Sequence, residues 1–159
     1  PNLARFYHVV LYDHEACFVM EAGEKGDLFD RIVQRGDNTY TEGQAVLACK
    51  GLFSALAHMH AQGILHRDIK PENILLGTSD TDLILADFDT CIHVPNGRAW
   101  TACGTLGYAA PEIGKGQYND RVDVFSLLKR RGGLHHALWL HTIQNHIVRW
   151  RATMHHMLA

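Results

Sequence analysis

Apolar and polar positions follow different periods in different parts of the chain. Phe6 to Tyr12 and Cys17 to Met20 are runs of aromatic and β-branched residues on either side of Asp13-His14-Glu15, which predicts a β-hairpin. Glu21 to Gly26 is short, polar and glycine-bearing, and reads as a linker. Asp27 to Gln34 predicts a short helix ended by Gly36. A longer helix is predicted from Thr41. Thr41 and Gln44 have the spacing at which a hydroxyl and an amide side chain cap each other's backbone N–H groups. Ala45, Cys49, Leu52, Leu56 and Met59 then form one apolar stripe, and Gly63 closes the helix. Ile74 to Leu76 and Leu83 to Ala86 flank a polar turn and predict a second small hairpin. Arg98 to Gly116 is rich in glycine and reads as an extended loop, and no internal repeat is visible.

Composition changes this picture in one place. The 159 residues are 47% hydrophobic with a net charge of −2, ordinary for a globular domain and no basis for binding nucleic acid or an anionic membrane. No run of 18 apolar residues suggests a membrane span, and the first residues do not resemble a signal peptide. Cys17, Cys49, Cys91 and Cys103 are widely spaced, which argues against a zinc site or a disulfide framework and fits an intracellular location, cytoplasmic or nuclear. All 17 acidic residues precede Lys129, whereas Lys129 to Ala159 holds five basic residues and six of the 12 histidines. So abrupt a shift marks a boundary.

The candidate chemistry is concentrated between the two hairpins and in the loop that follows. Ile64 to Leu76 contains His66-Arg67-Asp68, with Asn73 five residues after the aspartate, and Asp87-Phe88-Asp89 begins 19 residues after Asp68. Ala110-Pro111-Glu112 closes the glycine-rich loop, and Asp123 follows in Arg121-Val122-Asp123-Val124-Phe125. Together these residues resemble the protein-kinase signatures H-R-D-x-x-x-x-N, D-F-G and A-P-E.

The resemblance implies an α+β fold, mostly the helical large lobe with a small remnant of the β-rich lobe. It also implies phosphoryl transfer from ATP with Mg2+ to a Ser or Thr hydroxyl of a protein substrate. In the family an aspartate at position 68 orients the acceptor hydroxyl and takes its proton. Lys70, in the spacing of the serine/threonine type, would touch the transferred phosphate, and Asn73 and Asp87 would hold Mg2+. Residues 18–29 resemble the hinge. Met20 would be the gatekeeper, the backbones of Glu21 and Gly23 would bond adenine, Asp27 would face the ribose, Leu75 would floor the adenine, and Glu72 would belong to the same nucleotide site. Residues 100–112 resemble the activation segment of the cyclic-nucleotide-dependent kinases, whereas residues 27–32 lean to the calcium/calmodulin-dependent group. Thr101 falls at the phosphorylated position with Arg67 as its charge partner, Thr105 would pack against Asp68 and Lys70, and Asp123 would brace the catalytic loop.

Two departures qualify what the resemblance implies. Aspartate replaces the glycine of D-F-G at position 89, where it is expected to strain the backbone and to add charge beside the metal. The family's glycine-rich loop, strand lysine and helix glutamate would precede Pro1, and its remaining helical lobe would follow Leu127. Residues 1–127 are therefore expected to be a partial kinase domain, with Glu112 lacking its usual arginine partner. Residues 128–159 are expected to be a tail unrelated to the pattern, and a regulatory domain is expected outside the chain. The alternative is a pseudokinase-like binding or scaffold fragment, favoured by Asp89 and the missing lobe and opposed by Asp68, Lys70, Asn73 and Asp87. A metal-binding tail built on His135, His136, His141, His146, His155 and His156 is a third reading, weakened by the absence of acidic or cysteine ligands among them.

Overall fold

A computed structural model describes residues 1–35 and 40–129. The fold over these residues is α+β, as the resemblance implies, with short antiparallel sheets around helices. The first hairpin pairs β1 (Phe6–Leu11) with β2 (Ala16–Met20), Phe6 opposite Met20, with a register shift between Phe6 and His8. Every residue of both strands is exposed. The strands are apolar on both faces, and among the described residues nothing covers either face.

Helix α1 (Leu28–Arg35) starts where Asp27 Oδ1 accepts from the Asp30 amide at 2.8 Å; its predicted end at Gly36 lies outside the described residues. Helix α2 (Glu42–Ala61) carries the predicted reciprocal cap: the Gln44 amide donates to Thr41 Oγ1 at 3.4 Å, and the Thr41 amide donates to Gln44 Oε1 at 3.0 Å. Gly63, at φ 68°, turns the chain out of the helix. The α2 stripe is buried as expected through Leu52, Leu56 and Met59, packing on β4 (Ile74–Leu76) and β5 (Leu83–Leu85).

Strands β4 and β5 form the second predicted hairpin. A third extended segment lies beside them, because the Leu85 amide donates to Asn2 O and the Ala4 amide donates to Leu85 O. A small pairing of Ile64–Leu65 (β3) with Ile92–His93 (β6) was not predicted; two-residue strands carry no readable period. Helix α3 (Arg121–Leu128), which holds Asp123, packs Val122 into a second core with Leu65, Val94 and Ile113. Residues 98–116 form no helix or strand, as expected of the loop.

The histidine-rich segment and the expected tail beyond Lys129 lie outside the described residues.

Candidate active site

The site is built on the turn between β3 and β4, and its support comes from α3. Asp123 is fully buried, and its carboxylate accepts from the amides of His66 (2.9 Å) and Arg67 (2.7 Å). His60, at the end of α2, adds a third bond at 2.8 Å through Nε2. A carboxylate shielded from water needs such donors, and three of them converge here. His66 is also fully buried. Its Nδ1 accepts from the Asp68 amide at 3.3 Å and its Nε2 donates to Ala86 O at 3.1 Å. Burial, only partly opposed by Asp123, lowers its pKa, so the ring stays neutral and keeps this tautomer.

Arg67 adopts φ 73°, a left-handed conformation that costs a non-glycine residue roughly 1–3 kcal/mol and persists only where the surroundings enforce it. The Asp123 bond is one constraint. The guanidinium supplies two more, through Nε to Thr90 O (2.7 Å) and through Nη1 to Tyr118 Oη (3.1 Å). Gly104, at φ 94°, presses on the Arg67 carbonyl, and a Cβ built there would sit 2.6 Å from that oxygen. Gly104→Ala is expected to destabilise the fold by roughly 1–3 kcal/mol. Chemical denaturation checks this; an unchanged midpoint would mean the loop gives way freely.

Past Arg67, the Asp68 carboxylate stands at the centre of a cluster. Oδ1 accepts from the Thr105 amide (2.8 Å) and hydroxyl (2.6 Å), while Oδ2 accepts from Lys70 Nζ (2.7 Å) and Asn73 Nδ2 (3.2 Å). Lys70 also donates to Thr105 Oγ1 at 2.9 Å. Burial pushes the Asp68 carboxyl up, but the Lys70 and Thr105 hydrogen bonds and the Lys70 charge outweigh it, leaving the pKa below the usual range. The bond to Asp68 in turn raises the Lys70 pKa. At neutral pH the pair is therefore ionised.

Asn73 and Asp87 are joined through the backbone. The Ala86 amide donates to Asn73 O at 2.9 Å, which sets Asp87 next to the residue bonded to Asn73. Asn73 Nδ2 is engaged with Asp68 O (2.9 Å) and leaves Oδ1 as its ligand atom. An amide oxygen and a carboxylate are hard donors that fit Mg2+, which takes one or two protein ligands and completes its shell with water and phosphate. Burial and then the neighbouring Asp89 raise the Asp87 pKa, while Lys70 opposes the shift. The strain expected at position 89 falls elsewhere: among the described residues the non-glycine positions with positive φ are Asn2, Arg67 and Asp87. Asp89 is exposed, and what remains of its expected effect is its charge.

The hinge candidates are drawn toward β4. The Leu76 amide donates to Gly26 O, Asp27 bridges to Leu75, and a Cβ on Gly23 would meet Leu75 Cβ at 3.0 Å. The Glu21 amide is taken by Arg5 O at 2.8 Å. Met20 ends β2 and is exposed, Glu72 is exposed on the Pro71–Asn73 turn, and Leu75 is half-buried. Thr101 is exposed, and its carbonyl, not its hydroxyl, is linked to Arg67 by way of Tyr118. Glu112 is half-buried and forms no ion pair among the described residues. An apolar pocket beside the loop, lined by Leu28, Tyr40, Leu52, Ile69 and Leu127, adjoins this cluster through Lys70, whereas Asp68 and Asp87 do not line it.

The sequence reading missed three supporting residues. His60 had a signal, since it falls four residues after Leu56 on the buried side of α2; Thr90 and Tyr118 had none.

The protein kinase domain model matches residues 1–128. The chain belongs to the protein kinase domain family. It is 42% identical over 128 residues to a probable myosin light chain kinase of Dictyostelium discoideum, covering 79% of this chain and 26% of that protein. It is 40% identical over 131 residues to aurora kinase A-B of Xenopus laevis (80% of this chain, 31% of that protein). It is equally similar to human calcium/calmodulin-dependent protein kinase type IV (80% and 27%). The chain thus spans about a quarter to a third of the length of these kinases. Among the described residues no helix is long and apolar enough to cross a membrane, and no three His, Cys, Asp or Glu residues form a metal cluster.

Proposed function

We propose that this chain carries the phosphoryl-transfer centre of a serine/threonine protein kinase, moving the γ-phosphate of ATP to a Ser or Thr hydroxyl of a protein substrate. The observation that carries the reading is the convergence of Lys70, Asn73 and Thr105 on the Asp68 carboxylate. Asp68 is ionised and accepts a hydrogen bond from the substrate hydroxyl, aiming its oxygen at phosphorus. Its low basicity makes orientation its larger contribution, with the proton passing to it late. Lys70 turns from Asp68 to the transferred phosphate, and Thr105 keeps the carboxylate in place while it does so. Asp87 and Asn73 Oδ1 would hold Mg2+, which when bound would neutralise charge on the phosphate oxygens. The Glu21 carbonyl and Gly23 amide, which take no hydrogen bond among the described residues, receive adenine above Leu75, near Met20. Asp27 and Glu72 border the ribose side.

The same reading assigns 1–127 to a partial kinase domain and 128–159 to a separate tail. It gives Thr101 and Arg67 to regulation and sets the protein in the cytoplasm with a regulatory domain outside this chain. The test is γ-phosphate transfer to a serine peptide by this segment joined to the remaining kinase segments of calcium/calmodulin-dependent protein kinase type IV. Magnesium-dependent transfer supports the reading, and binding of ATP without transfer opposes it.

One observation favours the alternative of a non-catalytic binding fragment: Asp89 adds a second carboxylate beside Asp87. If that charge hinders turnover, Asp89→Gly raises kcat in the joined protein; if it does not, kcat stays unchanged. A clear fall in kcat would show that Asp89 has a positive role.

A further inference from the structure

We propose that the Tyr118 hydroxyl is a positioning group that ties Arg67 to the activation segment and thereby fixes the Asp68 carboxylate. The consequence for catalysis rests on the kinase reading above; the tie itself does not.

Tyr118 is buried and lies between two segments far apart in sequence. Its backbone pairs with Ala99 in both directions, the Ala99 amide to Tyr118 O (2.8 Å) and the Tyr118 amide to Ala99 O (2.9 Å). Its side chain then reaches two residues further along that segment, where Oη donates to Thr101 O at 2.5 Å. The same oxygen accepts from Arg67 Nη1 at 3.1 Å. A phenol can donate one hydrogen bond and accept others, and here both capacities are used inside the fold. The hydroxyl is thus a relay between the loop that bears Asp68 and the loop that bears Thr101.

The relay matters because of where Arg67 sits. Its backbone is held in a left-handed conformation by contacts on all sides, and the next residue is Asp68. Asp68 is in turn bonded to Thr105, in the same segment as Thr101. Arg67 and Asp68 therefore bond the activation segment at two points, one through Tyr118 and one through Thr105. Removing the Tyr118 hydroxyl frees one guanidinium arm, leaves the Nε bond to Thr90 O intact, and lets the strained backbone relax toward Asp68. A phosphate on Thr101 would offer Arg67 a charged partner in place of the phenol. The tie is accordingly the arrangement for the unmodified segment.

The test uses Tyr118→Phe in the 159-residue chain, which keeps the ring and deletes only the hydroxyl. In 15N spectra the Arg67 Nη protons should exchange about ten-fold faster than in the parent, the scale of one lost hydrogen bond. The Arg67 Nε–H should stay protected. The Thr105 amide, which reports on Asp68 Oδ1, should shift, and core amides of α2 should not. Unchanged Nη exchange or an unmoved Thr105 amide overturns the proposal. So does general loosening that includes Nε–H and α2, because the hydroxyl would then be holding the fold at large. In the joined kinase, Tyr118→Phe should lower kcat more than it changes KM for ATP while Thr101 is unmodified, and phosphorylation of Thr101 should remove the difference. An inactive parent beside the expected spectra would count against the kinase reading and leave the tie standing.

Discussion

Asp68→Asn is expected to lower kcat by about two powers of ten or more, with little change in KM for ATP. The carboxylate is the group proposed to take the substrate hydroxyl's proton, and it stands at the meeting point of Lys70, Asn73 and Thr105. Asparagine has the same shape but offers one acceptor oxygen. It would also turn an NH2 group toward either Lys70 or the Thr105 amide, both of which are donors. Charge, proton acceptance and local hydrogen bonding are therefore lost together, whereas Glu21, Gly23 and Leu75, proposed to receive adenine, are untouched. Steady-state kinetics of the joined kinase gives the answer. Full activity in Asp68→Asn would remove Asp68 from the chemistry.

The largest effect on stability is expected at Asp123. Its side chain is fully buried and accepts from two backbone amides and from His60. Asp123→Ala leaves the His66 and Arg67 amides without an acceptor in a place water does not reach. Each unsatisfied donor costs about 1–3 kcal/mol, so a loss of about 3 kcal/mol or more is expected. That is a large share of the 5–15 kcal/mol by which domains are usually stable. The strained φ of Arg67 would be released as well, so Asp68 would move even in molecules that remain folded. Urea denaturation of the parent and Asp123→Ala chains measures the effect. A difference under about 1 kcal/mol would show that other contacts hold the turn.

What could be read from the residues, and what could not, divides along physical lines. The cap of α2 was legible because Thr41 and Gln44 interact across three residues, and its buried stripe was legible because the helical period repeats several times. The β4–β5 hairpin was legible from two apolar runs around a polar turn. Asp68, Lys70 and Asn73 lie within six residues of one loop and are joined by hydrogen bonds, while Asp87 is set beside Asn73 through the Ala86 amide. The β3–β6 pairing was not, because each strand is two residues long and its partner lies across the chain. His60, Thr90 and Tyr118 were missed for a related reason. Their roles depend on contacts with residues 23 to 63 positions away; the helical period marks the side of α2 on which His60 lies but not the partner it meets. The strain expected at Asp89 was an inference from the glycine usual at that position, and the backbone places the left-handed residue at Asp87 instead. The exposure of β1 and β2 was equally unreadable, since a strand apolar on both faces says that it can be covered but not what covers it.

The central claim is that Asp68, Asn73 and Asp87 form one magnesium-dependent phosphoryl-transfer centre. Its most direct test is to incubate the joined kinase with γ-labelled ATP and a protein substrate, with and without Mg2+, and to identify the labelled amino acid. The account predicts phosphoserine or phosphothreonine that forms only with Mg2+ and falls to background in Asp87→Asn. Label on tyrosine, transfer that survives without a divalent cation, or undiminished transfer by Asp87→Asn would contradict it.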